Sequence, residues 1–239
     1  MVFLGDIKMK SLIEISDEIS QILKTKWSVR DGVKVPEPQD IKLGNDAVKL
    51  HATILYADLR ESTKMVNKYK HWFSAEVYKS YLKSCCEIIK NNDGVITSFD
   101  GDRVMAVYIG DRKNTNAVRT ALQINYIVLK VINPKIKEIY PDTLFEVKQV
   151  VGIDTSELFV ARTGVRGDND LVWVGNAANM AAKMCAIRDG NFSTFISEEV
   201  YYRMNKDVTY DNETNMWKTF HWPEYSKNIY CSSYYWKFE

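Results

Sequence analysis

The sequence carries almost no net charge. Lys and Arg total 32 and Asp and Glu 31, which leaves +1 over 239 residues. That balance gives no support for bulk electrostatic binding to nucleic acid or to an anionic membrane surface. Long apolar runs are also missing, since none approaches the ~20 residues that span a bilayer. The N-terminal MVFLGDIKMK has an early acid and no apolar stretch leading to a small-residue cleavage site. Soft metal ligands are sparse. The four cysteines, Cys85, Cys86, Cys185 and Cys231, form no CxxC, and the three histidines, His51, His71 and His221, show neither HxH nor HExxH spacing. The pattern argues against a structural zinc site, and a reducing cytoplasm is the expected compartment.

What is present is ordinary globular material: 46% apolar and 26% charged residues. The length suits one large domain with an appendage. Residues 9–26 place Leu12, Ile13, Ile15, Ile19, Ile22 and Leu23 at helical spacing. That narrow apolar stripe fits packing on the domain or on a second subunit. An irregular connector with two prolines follows. Residues 1–45 therefore read as an N-terminal helix and connector, and 46–239 as the main domain. The run Ala52–Ala57 reads as a buried strand. Residues 63–91 read as one long amphipathic helix, and 95–108 as a hairpin around Asp100-Gly101-Asp102. A second helix spans 114–133 and is closed by Pro134. A second hairpin spans 148–161 and turns at Thr155-Ser156. A strand over 171–174 precedes an alanine-rich helix, and the aromatic tail reads as an edge strand. This order predicts an α+β fold, a ferredoxin-like, antiparallel-rich sheet with helices.

Two constellations carry chemistry. Asp58 ends the first strand and Asp102 sits in the hairpin turn. In a β-α-β-β unit these carboxylates converge, and paired hard oxygens with open positions suit Mg²⁺ or Mn²⁺ carrying a nucleoside triphosphate. Taken singly, Asp58 also fits a turn former or helix cap, and Asp102 a satisfied turn residue. In the second constellation, Asn179 and Lys183 lie four apart on one face of the alanine-rich helix. An amide and a cation there suit a ribose and a phosphate, although the helix alone also fits a plain core element.

Together, LYADLREST, SFDGDRVMAVY and VGIDTSELFVARTG followed by DLVWVGNAANMAAKM resemble the motifs of the class III nucleotidyl cyclases, in order and spacing over residues 50–186. The resemblance implies a homodimer with sites shared between subunits. Asp58, Asp102 and the carbonyl of Leu59 would hold two divalent metal ions (Mn²⁺ or Mg²⁺). Asn179 of the other subunit would position the ribose. Lys183 would stand where the family usually has a transition-state arginine, and Lys218 would contact the outer phosphates.

The departures are informative. Lysine cannot make the bidentate fork of arginine, and Arg60, Arg162 and Arg166 are candidate substitutes. Ser156 replaces a usual glycine. The base-reading positions hold Ser98 and Val172, so neither the adenine nor the guanine pair is present. This pattern resembles the pyrimidine cyclases of bacterial Pycsar anti-phage systems, whose cyclic UMP or cyclic CMP is sensed by a separate effector protein. Tyr56 and Arg60 share strand parity with Asp58 and are the candidate contacts to a smaller base. The expected activity is conversion of UTP or CTP to its 3′,5′-cyclic monophosphate, with no nucleic-acid or membrane partner. The competing readings are an adenylate cyclase and an inactive cyclase-like domain.

Overall fold

The apolar run that ends in Asp58 is the centre of the sheet. The computed structural model describes residues 10–165, 167–188 and 191–238. The chain opens with helix α1 (Leu12–Lys24), short strand β1 (Ser28–Asp31) and the 14-residue strand β2 (Asp46–Leu59). Helices α2 (Ser62–Lys68) and α3 (His71–Asn91) lead to strands β3 (Val95–Asp100) and β4 (Arg103–Tyr108). Next come α4 (Lys113–Ile127), a π-helical segment over Val128–Ile132, and α5 (Asn133–Ile139). Strands β5 (Gln149–Val165) and β6 (Asp168–Val174) precede α6 (Asn176–Cys185). The remainder is β7 (Thr194–Ser197), α7 (Glu198–Arg203), the small pair β8 (Tyr210–Asp211) and β9 (Thr214–Asn215), then β10 (Lys218–Trp222) and β11 (Lys227–Ser232).

Among the described residues the main sheet runs β10-β11-β7-β5-β2-β4-β3, with β1 added to β2 and β6 to β5. The β5–β7 and β1–β2 pairs are parallel and the others antiparallel. Alternation along β2 builds two cores. Leu55, Ala57 and Leu59 pack with Tyr81 and Ile89 of α3 and Leu122 of α4. Ala52 and Ile54 point the other way, onto Ala177, Ala178 and Ala181 of α6. The alanines, together with Gly152 on β5, let α6 lie almost on the sheet backbone. A Cβ at Gly152 would fall on the Ala181 carbonyl and 2.5 Å from the Cys185 nitrogen.

Several local expectations are corrected. The helix over 63–91 is broken at Tyr69 and Lys70, whose backbones are extended. Tyr69 leaves the helical path and joins an aromatic cluster, 5.1 Å from Phe73 and 5.4 Å from Phe145. Pro134 does not end a helix. Helical backbone runs on from α4 through Val128–Ile132 into α5, and Pro134 follows directly on that π-helical segment, a widened turn of the kind that accommodates a break in the hydrogen-bond ladder. No turn forms at Thr155-Ser156, because β5 pairs with β2 without interruption from Gln149 to Ala161. The Thr155 hydroxyl is satisfied inside, 3.1 Å from Thr53 Oγ1 and 3.2 Å from the Ala52 carbonyl. The hairpin partner of β5 is β6. The C-terminal edge strand is β10, while β11 is paired on both sides. The stripe of α1 does not pack on the domain: Leu12 is 83% and Leu23 80% exposed. Asn45 holds the end of that helix by donating to the carbonyls of Ile22 and Thr25. Among the described residues no helix is long and apolar enough to cross a membrane.

The packing of α6 gives the first prediction. Gly152→Ala forces α6 off the sheet and lowers the unfolding free energy by about 3 kcal/mol, to be measured by urea titration. Stability equal to wild type would contradict the close approach.

Candidate active site

Direct strand pairings set a row of side chains across one sheet face. Ser98 pairs with Met105, Met105 with Tyr56, and Tyr56 with Gly152. The row continues through Phe195 and Cys231 to Lys218. Paired residues share a face, so three predicted site residues, Ser98, Tyr56 and Lys218, lie on the side that carries α6. Asp58 is two residues beyond Tyr56 and joins this face. Val172 does not. It pairs with Ala161, which pairs with Ala47, and strand parity turns it to the opposite face.

Asp102 is placed by the β3–β4 turn. Asp100 pairs with Arg103 across Gly101 and Asp102, and Gly101 has φ +60. A glycine with positive φ at the first central position is the type II′ solution for a tight hairpin. Arg103 closes the turn by donating to Asp100 at 2.7 Å. Asp102 Oδ2 is buried and has no hydrogen-bond partner among the described residues.

Asp58 is largely buried, with 16% of its side chain exposed, and it receives Nη2 of Arg188 at 3.2 Å. Burial, and then the charge of Asp102, push its carboxyl above the ordinary carboxylate value, while Arg188 and Arg103 pull it down. Asp58 therefore senses the charge of Asp102. Among the described residues no cluster of three or more His, Cys, Asp or Glu side chains forms. The chain thus offers two hard carboxylates, one with an orphaned buried oxygen, and leaves other coordination positions open. That donor set fits Mg²⁺ or Mn²⁺ and does not fit a structural zinc ion. The side chain of Leu59 is 3% exposed and belongs to the core, so only its carbonyl is available as a ligand.

Asn179 and Lys183 stand apart from the carboxylates. Both are exposed on α6, and Lys183 Nζ lies 4.5 Å over the Tyr225 ring. A hydrogen bond to Tyr225 raises its ammonium above the usual value. Arg60 is anchored, with its backbone N–H on the Lys148 carbonyl and Nη2 on the Phe192 carbonyl, both at 2.7 Å. Arg162 is held by Asn169 Oδ1 and the Ile41 carbonyl. Arg166 lies outside the described residues. Ser156 has a clear role: its hydroxyl accepts the Ala177 N–H at 3.0 Å and so caps the start of α6.

Three residues escaped the sequence reading. Arg103 lies 5.7 Å from the Tyr56 ring centroid as a cation over the ring. Tyr78 of α3 feels both carboxylates: burial and then the charge of Asp102 raise its phenol, and Asp58 adds to this. Arg188 follows α6 with no motif around it. Arg103 was findable, because it follows the second carboxylate directly. Tyr78 and Arg188 left no signal beyond residue type.

The buried carboxylate gives a pH-dependent prediction. A raised folded-state value means that Asp58 favours folding while protonated, and that contribution is lost as pH rises through the folded value. Asp58→Asn removes the titration. Metal-free D58N should melt higher than wild type at neutral pH, with the gap closing at about pH 4. Melting curves across pH test this, and a neutral-pH wild type more stable than D58N would contradict it.

The chain is similar to known proteins along nearly its whole length. A uridylate cyclase from Xanthomonas perforans is 43% identical over 228 residues, which cover 95% of this chain and 98% of that protein. A uridylate cyclase from Burkholderia cepacia is 44% identical over 220 residues, 91% of this chain and 95% of that one. Among solved structures, the adenylyl cyclase CyaB from P. aeruginosa superposes with a TM-score of 0.65 at 18% identity, covering 78% of this chain and 95% of that one. That likeness shows a shared nucleotidyl cyclase fold. No family model matches the chain. Identity at this level over this span, on this fold, shows that the chain belongs to the uridylate cyclase family.

Proposed function

We propose that the protein is a cytoplasmic, metal-dependent uridylate cyclase that works as a homodimer and makes cyclic UMP for anti-phage defence. The observation that carries this reading is the pair Asp58 and Asp102, with an unpartnered buried oxygen on Asp102. The names of the relatives narrow the base from UTP or CTP to UTP. Asp58, Asp102 and the Leu59 carbonyl would hold two divalent cations, which when bound would supply activation of the ribose 3′-hydroxyl and charge neutralisation at the leaving group. The 3′-hydroxyl releases its proton to solvent and its oxygen bonds to the α-phosphorus while the bond from that phosphorus to its bridging oxygen breaks. The bond's electron pair leaves with pyrophosphate. Asn179 of a second copy orients the ribose, and its Lys183 offsets phosphate charge. Lys218 contacts the outer phosphates.

The exposure of Asn179 and Lys183 supports a shared site, because neither turns toward the carboxylates of its own chain. The base is read by Tyr56, under Arg103, and by Ser98 in the same row; Arg60 supports the strand end beside them. Val172 contributes from the opposite face only if it belongs to the other subunit's half of the pocket. The product would act on a separate effector protein, without nucleic acid or membrane as partner.

Two measurements test this. Incubation with each labelled nucleoside triphosphate and Mn²⁺ should give cyclic UMP from UTP in clear excess over any product from ATP, GTP or CTP; faster turnover of ATP would sink the reading. Asp58→Ala and Asn179→Ala should each cost at least about a hundredfold in rate. Mixed in equal amounts, the two variants should regain about a quarter of wild-type activity through heterodimers with one intact site. No recovery would exclude a shared site.

A further inference from the structure

Arg188 is the one guanidinium bonded directly to a predicted metal ligand among the described residues. Its Nη1 donates to the Cys185 carbonyl at 2.8 Å and the Ile187 carbonyl at 3.3 Å. It thereby satisfies carbonyls at the C-terminus of α6, where a cation is also favoured by the helix dipole. Its Nη2 reaches across to Asp58 Oδ2. A single side chain thus ties the end of α6 to the carboxylate at the end of β2.

The bond to Asp58 is exchangeable. The Arg188 side chain is 44% exposed, so the guanidinium has water to move into. It also borders an open cavity of about 590 Å³ with Lys183, Glu224 and Tyr225. Arg60, two residues beyond Asp58, brings a second cation to the end of β2, held on the Phe192 carbonyl at 2.7 Å. The anionic Asp58 offsets these like charges at one mouth. A divalent cation held by Asp58 would remove that offset and repel Arg188.

We propose that Arg188 is an exchanging phosphate ligand: it neutralises Asp58 before the metal arrives, and then transfers its guanidinium to the nucleotide's phosphates. This rests on the reading of Asp58 as a metal ligand. It gives the site a forked cation where Lys183 provides only a compact one. The fork comes from the loop after α6 instead of from the helix face. The residue opposes metal binding in the empty site and supports nucleotide binding in the filled one.

Opposite signs are the signature of this role. Calorimetric titration of nucleotide-free protein with Mn²⁺ should show Arg188→Ala and Arg188→Gln binding about three- to fivefold more tightly than wild type, as expected for release of a partly exposed ion pair. At saturating Mn²⁺, 3′-deoxy-UTP, which lacks the attacking hydroxyl, should bind both variants about tenfold more weakly. Lys64→Ala removes a cation that pairs with Glu61 and not with Asp58; its Mn²⁺ affinity should match wild type. A structural role for Arg188 would move metal and nucleotide affinities in the same direction, and that result would overturn the proposal. So would Mn²⁺ affinity in both variants equal to or below wild type. Wild-type Mn²⁺ binding by Asp58→Ala would instead remove the metal-ligand reading beneath it.

Discussion

A carboxylate, Asp58, drawn largely out of water beside the charge of a second one is the constraint on which the rest of this structure depends. Burial raises the cost of ionising Asp58, and the charge of Asp102 adds to it. A sheet tolerates such a pair only if the backbone leaves no softer arrangement. Here β2 is clamped between β4 and β5, and the other carboxylate is fixed by a two-residue turn. Arg188 and Arg103 supply counter-charge to Asp58. The orphaned Asp102 oxygen is the residue of that compromise.

The same economy explains α6. A helix with larger side chains could not lie on Gly152, and a helix further from the sheet would not bring Cys185 and Arg188 to the end of β2. Its inner face is alanine and methionine, and its outer face is left to Asn179 and Lys183. One chain therefore presents the acids on one flank of α6 and the amide and ammonium on its exposed side. Each half is well formed, and neither half closes on the other.

Much of this was legible in the sequence where pattern and chemistry coincide. The run before Asp58 is apolar on both faces because both faces of β2 are covered. The DG turn has a positive φ that glycine supplies. Thr155-Ser156 misled because small hydroxyl residues mark turns when their oxygens face water. Here Thr155 finds partners inside, and Ser156 caps a helix distant in sequence. Pro134 misled because a proline carried within a helix by a π-helical segment looks, from sequence, like a proline after a last turn. Within the candidate site, the acids and the row containing Tyr56 and Ser98 followed from motif and parity. Arg188 did not, because its meaning comes from a contact with a residue 130 positions away.

The unbroken ladder between β2 and β5 has a consequence for how the molecule breathes. Thirteen consecutive residues of β2, Ala47 to Leu59, are matched one to one with β5. Amides in that ladder exchange with solvent only when most of the domain opens, whereas α1, with no buried residue, frays independently. Asp58 thus rides on the slowest-opening part of the chain. Its partner Asp102 hangs from a hairpin whose outer strand β3 is an edge. The two acids thus sit on unequal supports, Asp58 on the long central ladder and Asp102 on a turn with one edge strand.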